Sequence, residues 1–320
     1  KKHCPYLDPT YLDFFFFFTF DASEVEIEQV GSDLDITIEG FWYRTILWEV
    51  PLMALISELF YASQNLERID DKAVQDITKS KIESYNALGA SVLEFGTRRR
   101  HSYKVHTLVN ETLAAFGNES FLGTSNVHLA MLNGKRPLGT HAHEWFMFHA
   151  AQYGFKVANI VGLENWTQVY GGDLGIALTD TYTTDVFFEQ FDKKYSKLFD
   201  GVRHDSGDPI EFAKKTIAHY IKLGIDPKSK IIVFSDSLNL EKVKVISDFC
   251  KDKIKMSFGI GTNFTNDVGL PAMNMVIKLT ETKPDFTHWE GVVKLSDEKN
   301  KNTGTPEMIA LAKQVLGIKF

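Results

Sequence analysis

From Ser91 onward the chain repeats one unit: a short, mostly apolar run, a cluster of small or polar residues at its end, then a stretch of helical periodicity. The runs are 91–95 (SVLEF), 174–179 (LGIALT), 200–203 (DGVR), 230–234 (KIIVF) and 255–259 (KMSFG). They end at Gly96-Thr97, Thr179-Asp180, Asp205-Ser206-Gly207, Ser235-Asp236 and Gly259-Ile260-Gly261-Thr262, and helical patterns such as 208–223 and 239–250 follow most of them. Strand, polar turn and helix in alternation predict an α/β fold with parallel strands. Such folds place their sites at the carboxyl ends of the strands, so the residues just past each run are the ones to read for chemistry.

Before Ser91 the style differs. Residues 24–40 alternate apolar and polar on both sides of Gly31-Ser32-Asp33 and predict a β-hairpin. Pro51 to Ser63 predicts a buried helix with proline in its first turn, residues 71–88 an amphipathic helix, and 305–316 a C-terminal helix opened by Thr305-Pro306. The run Phe14 to Phe18, bounded by Asp13 and Thr19, is far short of the ~20 apolar residues of a membrane span. It reads as a buried helix end or strand start, and no membrane role is expected. No signal peptide is evident. The chain opens on Lys1-Lys2 without Met, so the expectation is that its true start is missing.

A net charge of −7 argues against a general nucleic-acid binder but leaves room for small phosphorylated ligands held by a few local groups. The only cysteines are Cys4 and Cys250, no disulfide framework, which points to the cytoplasm.

Gly201-Val202-Arg203-His204-Asp205-Ser206-Gly207-Asp208-Pro209 brings an Arg, acids, a Ser and a Gly into one turn, with Pro209 opening a helix. Arg203 offers a planar fork for carboxylate or phosphate, and the aspartates suit ribose hydroxyls or Mg²⁺. An ordinary helix entry with an Asp cap accounts for part of the same pattern. The loop Gly259-Ile260-Gly261-Thr262-Asn263 offers backbone N–H groups to a phosphate, though Gly-x-Gly-Thr is also a plain turn. In Gly139-Thr140-His141-Ala142-His143-Glu144-Trp145, pairing of His143 with His149 on a metal is discarded, because a spacing of six misplaces them on a helix. A nucleophilic His143 oriented by an acid such as Glu144 is the alternative to a merely structural histidine. Arg98, Arg99 and Arg100 read first as a solvated or ion-paired run.

In this order the segments FGTRRR (95–100), GTSNVHLA (123–130), GTHAHEWF (139–146), RHDSGDP (203–209), FSDSLNLEKV (234–243), FGIGTNFTND (258–267) and VVKLSDEKNKNTG (292–304) resemble the nicotinate phosphoribosyltransferases of bacteria and fungi. They cover nearly all of the chain beyond residue 90; the earlier part, as in CPYLDPTYLDF at 4–14, matches more loosely. The resemblance implies an irregular α/β barrel (91–290), an N-terminal α/β domain (1–90), and a C-terminal strand and helix (291–320) returning to that domain. It implies that nicotinate and phosphoribosyl pyrophosphate yield nicotinate mononucleotide and pyrophosphate, in NAD salvage, with ATP hydrolysis coupled through a phosphohistidine. His143 would carry the phosphate. Arg203, with Thr140, would meet the nicotinate carboxylate, Arg98 would serve the same anionic pocket, and Phe95 would lie on the pyridine ring. Asp205 and Asp236, with Ser235 beside them, would orient ribose or Mg²⁺, while Gly259, Gly261 and Thr262 would hold the 5-phosphate. The family's TDFYK-like segment, whose Tyr stacks on nicotinate from the neighbouring subunit of a homodimer, is not found here. In the sister nicotinamide phosphoribosyltransferases an Asp stands where this chain has Ser125. That sister activity and a non-catalytic nucleotide-binding relative are the competing readings.

Overall fold

The computed structural model describes residues 2–298 and 301–318, so Lys299 and Asn300 of the 292–304 motif lie outside the described residues. The hairpin forms as expected from β1 (Val25–Val30) and β2 (Asp33–Ile38), with Val30 opposite Asp33 across a turn in which Gly31 takes φ +66°. The helix Asp71–Leu88 starts where the Asp70 side chain accepts from Ala73 N and stops at left-handed Gly89. Its buried residues Val74, Thr78, Ile82 and Tyr85 recur at helical spacing and face the helix Tyr103–Phe116.

The strands of the main sheet are β3 (Val92–Glu94), β4 (Phe121–Thr124), β5 (Arg136–Pro137), β6 (Ile176–Leu178), β7 (Gly201–His204), β8 (Ile231–Phe234) and β9 (Lys255–Ile260). They form one seven-stranded sheet in the order β5-β4-β3-β9-β8-β7-β6, with every neighbouring pair parallel. The sheet curls into a half-barrel, so all its carboxyl ends open on one side. Fully buried Phe234, Phe258, Tyr182 and Tyr220 fill the space between strands and helices. β4 and β5 escape the sequence reading because they are short and broken. Gly123 sits at φ +155° in β4, and β5 is a two-residue edge strand containing proline, where a missing N–H costs no ladder bond. No strand pairs β5 with β6. Instead the Leu178 N–H donates to His141 Nδ1 at 3.3 Å, fastening the loop that leads into the helix His143–Tyr153.

One expectation fails. The helix Pro9–Phe17 contains the start of the phenylalanine run, but none of its residues is buried, and Phe16 and Phe17 are 82% and 80% exposed. A nine-residue helix that is apolar on every side cannot bury all sides against one neighbour. Phe14 meets the Tyr43 ring edge-on at 5.5 Å and Phe18 lies under the Arg44 guanidinium at 5.1 Å, leaving the other faces outward. The following segment, Trp42–Ser63, is long and apolar enough by length and composition to cross a membrane. Its helix Glu49–Ser63 is tied to the rest of the molecule by Ser57 Oγ donating to Arg100 O and Tyr61 Oη donating to Pro271 O, both at 2.7 Å.

Candidate active site

Pro209 fixes the first turn of the helix Pro209–Lys222, and the Asp208 carboxylate accepts from Ile210 N and Glu211 N. Asp208 is therefore the cap, which frees Asp205 for the site. The Arg203 side chain, leaving β7, is held by three side chains and a carbonyl: Nη2 donates to Asp205 Oδ1 at 2.6 Å, Nη1 to Thr140 Oγ1 at 2.7 Å and to His141 O at 3.4 Å, and Nε to Ser235 Oγ at 2.8 Å. Ser235 Oγ is also 2.9 Å from Asp205 Oδ1. The other carboxylate oxygen, Asp205 Oδ2, lies 3.0 Å from His143 Nε2, and His143 Nδ1 lies 3.1 Å from Thr181 Oγ1. Thr140, Arg203, Asp205, His143 and Thr181 thus form one hydrogen-bonded chain across strand ends far apart in sequence.

The charges fix its polarity. Burial favours the neutral form of Asp205, but the Arg203 guanidinium and the His143 contact outweigh it and hold the carboxyl well below its ordinary range. Burial pushes His143 down despite Asp180 and Asp205 nearby. A neutral imidazole facing an ionised carboxylate through Nε2 must carry its proton there, so Nδ1 keeps its lone pair and accepts from the Thr181 hydroxyl. Nδ1 is thus the lone-pair nitrogen of the ring, and Asp205 supports its basicity from the far side.

Glu144 does not orient His143. Successive residues on a helix point about 100° apart, and Glu144 instead accepts from Trp42 Nε1 at 2.8 Å, with burial pushing its carboxyl upward. The orienting groups are Asp205 and Thr181. His149 bonds to Trp145 O at 2.7 Å and Asn165 Nδ2 at 2.9 Å. Fully buried His141 is pushed down to about 3 by desolvation and by Arg203.

The other site residues spread around the same opening. Arg98 Nη1 pairs with Glu49 Oε1 at 2.7 Å, while Arg100 covers the Tyr103 ring at 5.2 Å, so the arginine run is partly the ion-paired structure its composition implied. Ser125 and Thr140 line a cavity of about 160 Å³ together with Tyr6 and Trp166. Asp236 is paired with Lys301 at 3.3 Å rather than grouped with Asp205. Gly261 precedes the single turn Thr262–Thr265. Gly259 lies under Phe95: a Cβ there would stand 2.4 Å from Phe95 Cδ2. Gly259→Ala is therefore expected to destabilise the fold by about 1–3 kcal/mol through overpacking. An unchanged urea midpoint would show the ring free to move aside.

The sequence reading gave no role to Asp180, Thr181, Lys294 or Tyr6. Asp180 stood at a predicted strand end, which was its signal. Among the described residues, His143, Asp180 and Asp205 offer ligand atoms within 4.8 Å of one another. The buried Asp180 Oδ1 has no hydrogen-bond partner, so the two carboxylates suit an oxygen-seeking Mg²⁺ and the imidazole does not. Buried Lys294 adds positive charge felt by both His143 and Asp205.

Two family models match the chain: the nicotinate phosphoribosyltransferase (NAPRTase) family over residues 90–319, and its N-terminal domain over residues 1–57. The nicotinate phosphoribosyltransferase of Chromohalobacter salexigens is 60% identical over 99% of this chain and 82% of its own length. That of Desulforapulum autotrophicum is 47% identical over 98% of this chain and 81% of its own. The crystal structure of the Porphyromonas gingivalis nicotinate phosphoribosyltransferase superposes with a TM-score of 0.96 at 48% identity, covering 99% of this chain and 82% of that one. The Vibrio cholerae structure gives 0.94 at 35%, covering 100% and 78%.

Proposed function

The chain belongs to the nicotinate phosphoribosyltransferase family, and from that premise we propose that it makes nicotinate mononucleotide and pyrophosphate from nicotinate and phosphoribosyl pyrophosphate, in NAD salvage, with ATP hydrolysis coupled through His143. The observation that carries this reading is the chain Thr140–Arg203–Asp205–His143–Thr181, which links an anion-seeking guanidinium to a nucleophilic imidazole through one carboxylate. His143 Nδ1 attacks the terminal phosphorus of ATP, a P–N bond forms as the P–O bond to ADP breaks, and the Nε2 proton stays on the ring facing Asp205. Neutral imidazole needs no deprotonation from a high pKa for this step.

In the ribosyl transfer, charge of opposite sign develops at the ribose C1 and on the departing pyrophosphate. The protein's part is positioning and electrostatics. The Arg203 guanidinium meets the nicotinate carboxylate with Thr140 beside it, and Phe95 covers the ring. The loop Gly259-Ile260-Gly261-Thr262 receives the 5-phosphate. Asp205 and Asp180 are the residues that would hold Mg²⁺, which when bound supplies positive charge to the pyrophosphate. A homodimer in the cytoplasm completes the proposal. The exposed apolar side chains of Phe16, Phe17, Phe41, Leu55 and Leu59 are surface that a second copy would cover.

Selectivity between the two pyridines rests on Ser125. Its hydroxyl can donate to a carboxylate oxygen, whereas an Asp there would repel the same carboxylate in a low-dielectric pocket. Ser125→Asp is expected to cut kcat/KM for nicotinate by roughly tenfold or more and to admit some nicotinamide. Competition kinetics with the two pyridines tests it. Unchanged nicotinate use would remove Ser125 from the ring-binding wall.

A further inference from the structure

Glu94 is the last residue of β3, fully buried, and carries a charge in the middle of the protein. Its carboxylate is satisfied on both oxygens. Oε1 accepts from Gly96 N–H, while Oε2 lies 2.7 Å from His106 Nε2 and accepts from Thr124 Oγ1 at 2.5 Å and Asn110 Nδ2 at 3.3 Å. Its own carbonyl accepts from Ser125 N at 2.9 Å. Thr124 Oγ1 in turn accepts from Asn126 N at 3.0 Å, which fixes the turn beyond β4. Desolvation alone would favour the neutral acid. The His106, Thr124 and Gly96 contacts reverse that and hold the group below its ordinary value.

An ionised, fully enclosed carboxylate is costly unless each lone pair is met, and one that is met on all sides locks its partners in place. The partners here are the backbone immediately after Phe95 and the side chain immediately before Ser125. Those two positions leave adjacent parallel strands at the same sheet edge. The turn after Phe95 is pinned from the other side as well, since Phe95 N donates to Ile260 O and Thr265 Oγ1 to Gly96 O.

We propose that Glu94 is a positioning residue for pyridine recognition: its buried carboxylate sets the separation of the Phe95 ring and the Ser125 hydroxyl. The inference rests on the assignment of those two residues to the nicotinate pocket. The Glu94 side chain bonds the turns after Phe95 and before Ser125 directly, whereas the 259–262 loop is reached only through the Phe95 N to Ile260 O bond, so the effect falls more on nicotinate than on phosphoribosyl pyrophosphate.

The test is steady-state kinetics of the full chain carrying Glu94→Gln, Thr124→Val or Phe95→Leu, with circular dichroism to confirm folding. Glutamine keeps the size but turns one acceptor into a donor facing N–H or O–H groups. Glu94→Gln is expected to raise the nicotinate KM about tenfold, with the phosphoribosyl pyrophosphate KM changed less than about twofold, and Thr124→Val to do the same more weakly. Both are expected to narrow the preference for nicotinate over nicotinamide. If Glu94→Gln does not fold, Thr124→Val decides. A raised nicotinate KM in Phe95→Leu with unchanged values in the folded Glu94 and Thr124 variants overturns the positioning role alone. An equal rise in both substrate KM values makes Glu94 merely structural and also overturns it. An unchanged nicotinate KM in Phe95→Leu removes the pocket assignment, and the inference with it.

Discussion

His143→Ala is expected to abolish covalent labelling of the protein by ATP that carries an isotope in its terminal phosphate. In the unmodified protein that label is expected to be acid-labile and base-stable, as a phosphoramidate on imidazole must be. The alanine variant keeps Arg203, Phe95 and the 259–262 loop, so slow ribosyl transfer without ATP is expected to survive while ATP stimulation disappears. Asp205→Asn, which leaves Nε2 only the more distant Asp180 carboxylate at 3.7 Å, is expected to slow labelling rather than abolish it. Undiminished labelling in His143→Ala would move the phosphate elsewhere. His141 is the nearest histidine in the motif, but its ring is enclosed by the Phe146, Trp166 and Phe199 rings.

Arg203→Ala is expected to cripple nicotinate use. Removing one side of a charge-assisted contact in a closed pocket costs ~2–5 kcal/mol, or roughly thirty-fold and upward in kcat/KM. Arg203→Lys is not expected to restore it, because an ammonium cannot reach Asp205, Thr140 and Ser235 while presenting two parallel donors to a carboxylate. The pH profile supplies a second readout. Arg203 is the main favourable influence holding Asp205 ionised, so its loss raises the Asp205 pKa. Activity that needs the carboxylate is present above that pKa and lost as pH falls through it, so the acid limb of the profile is expected to move upward. An unchanged kcat/KM for nicotinate in either variant would take Arg203 out of the site.

The site was legible in the sequence where a strand end and a polar turn coincided. Arg203, Asp205, Ser235 and the 259–262 loop all sit where alternating strands and helices predict a site, and the parallel sheet brings Arg203, Asp205, Ser235 and His143 into bonding contact. What orients His143 was not legible. Glu144 was the nearest acid along the chain, yet the helix turns it toward Trp42, while the acid that matters lies 62 residues away on another strand end. Periodicity names elements but not which partners a curled sheet brings together. The phenylalanine run failed for a related reason: apolar composition states what a segment can bury, whereas its exposure depends on how many neighbours the fold supplies. Two strands of the main sheet were missed because glycine in one and proline in the other break the alternation that identifies a strand.

In the proposed function one hydrogen-bonded chain serves both a carboxylate-bearing pyridine and ATP. Turnover of the unmodified protein with nicotinate, nicotinamide or quinolinate, each with and without ATP, tests this. Product is expected from nicotinate, with stimulation by ATP and release of ADP, and little or none from the other two. Equal or better use of nicotinamide, or nicotinate turnover indifferent to ATP, would contradict it.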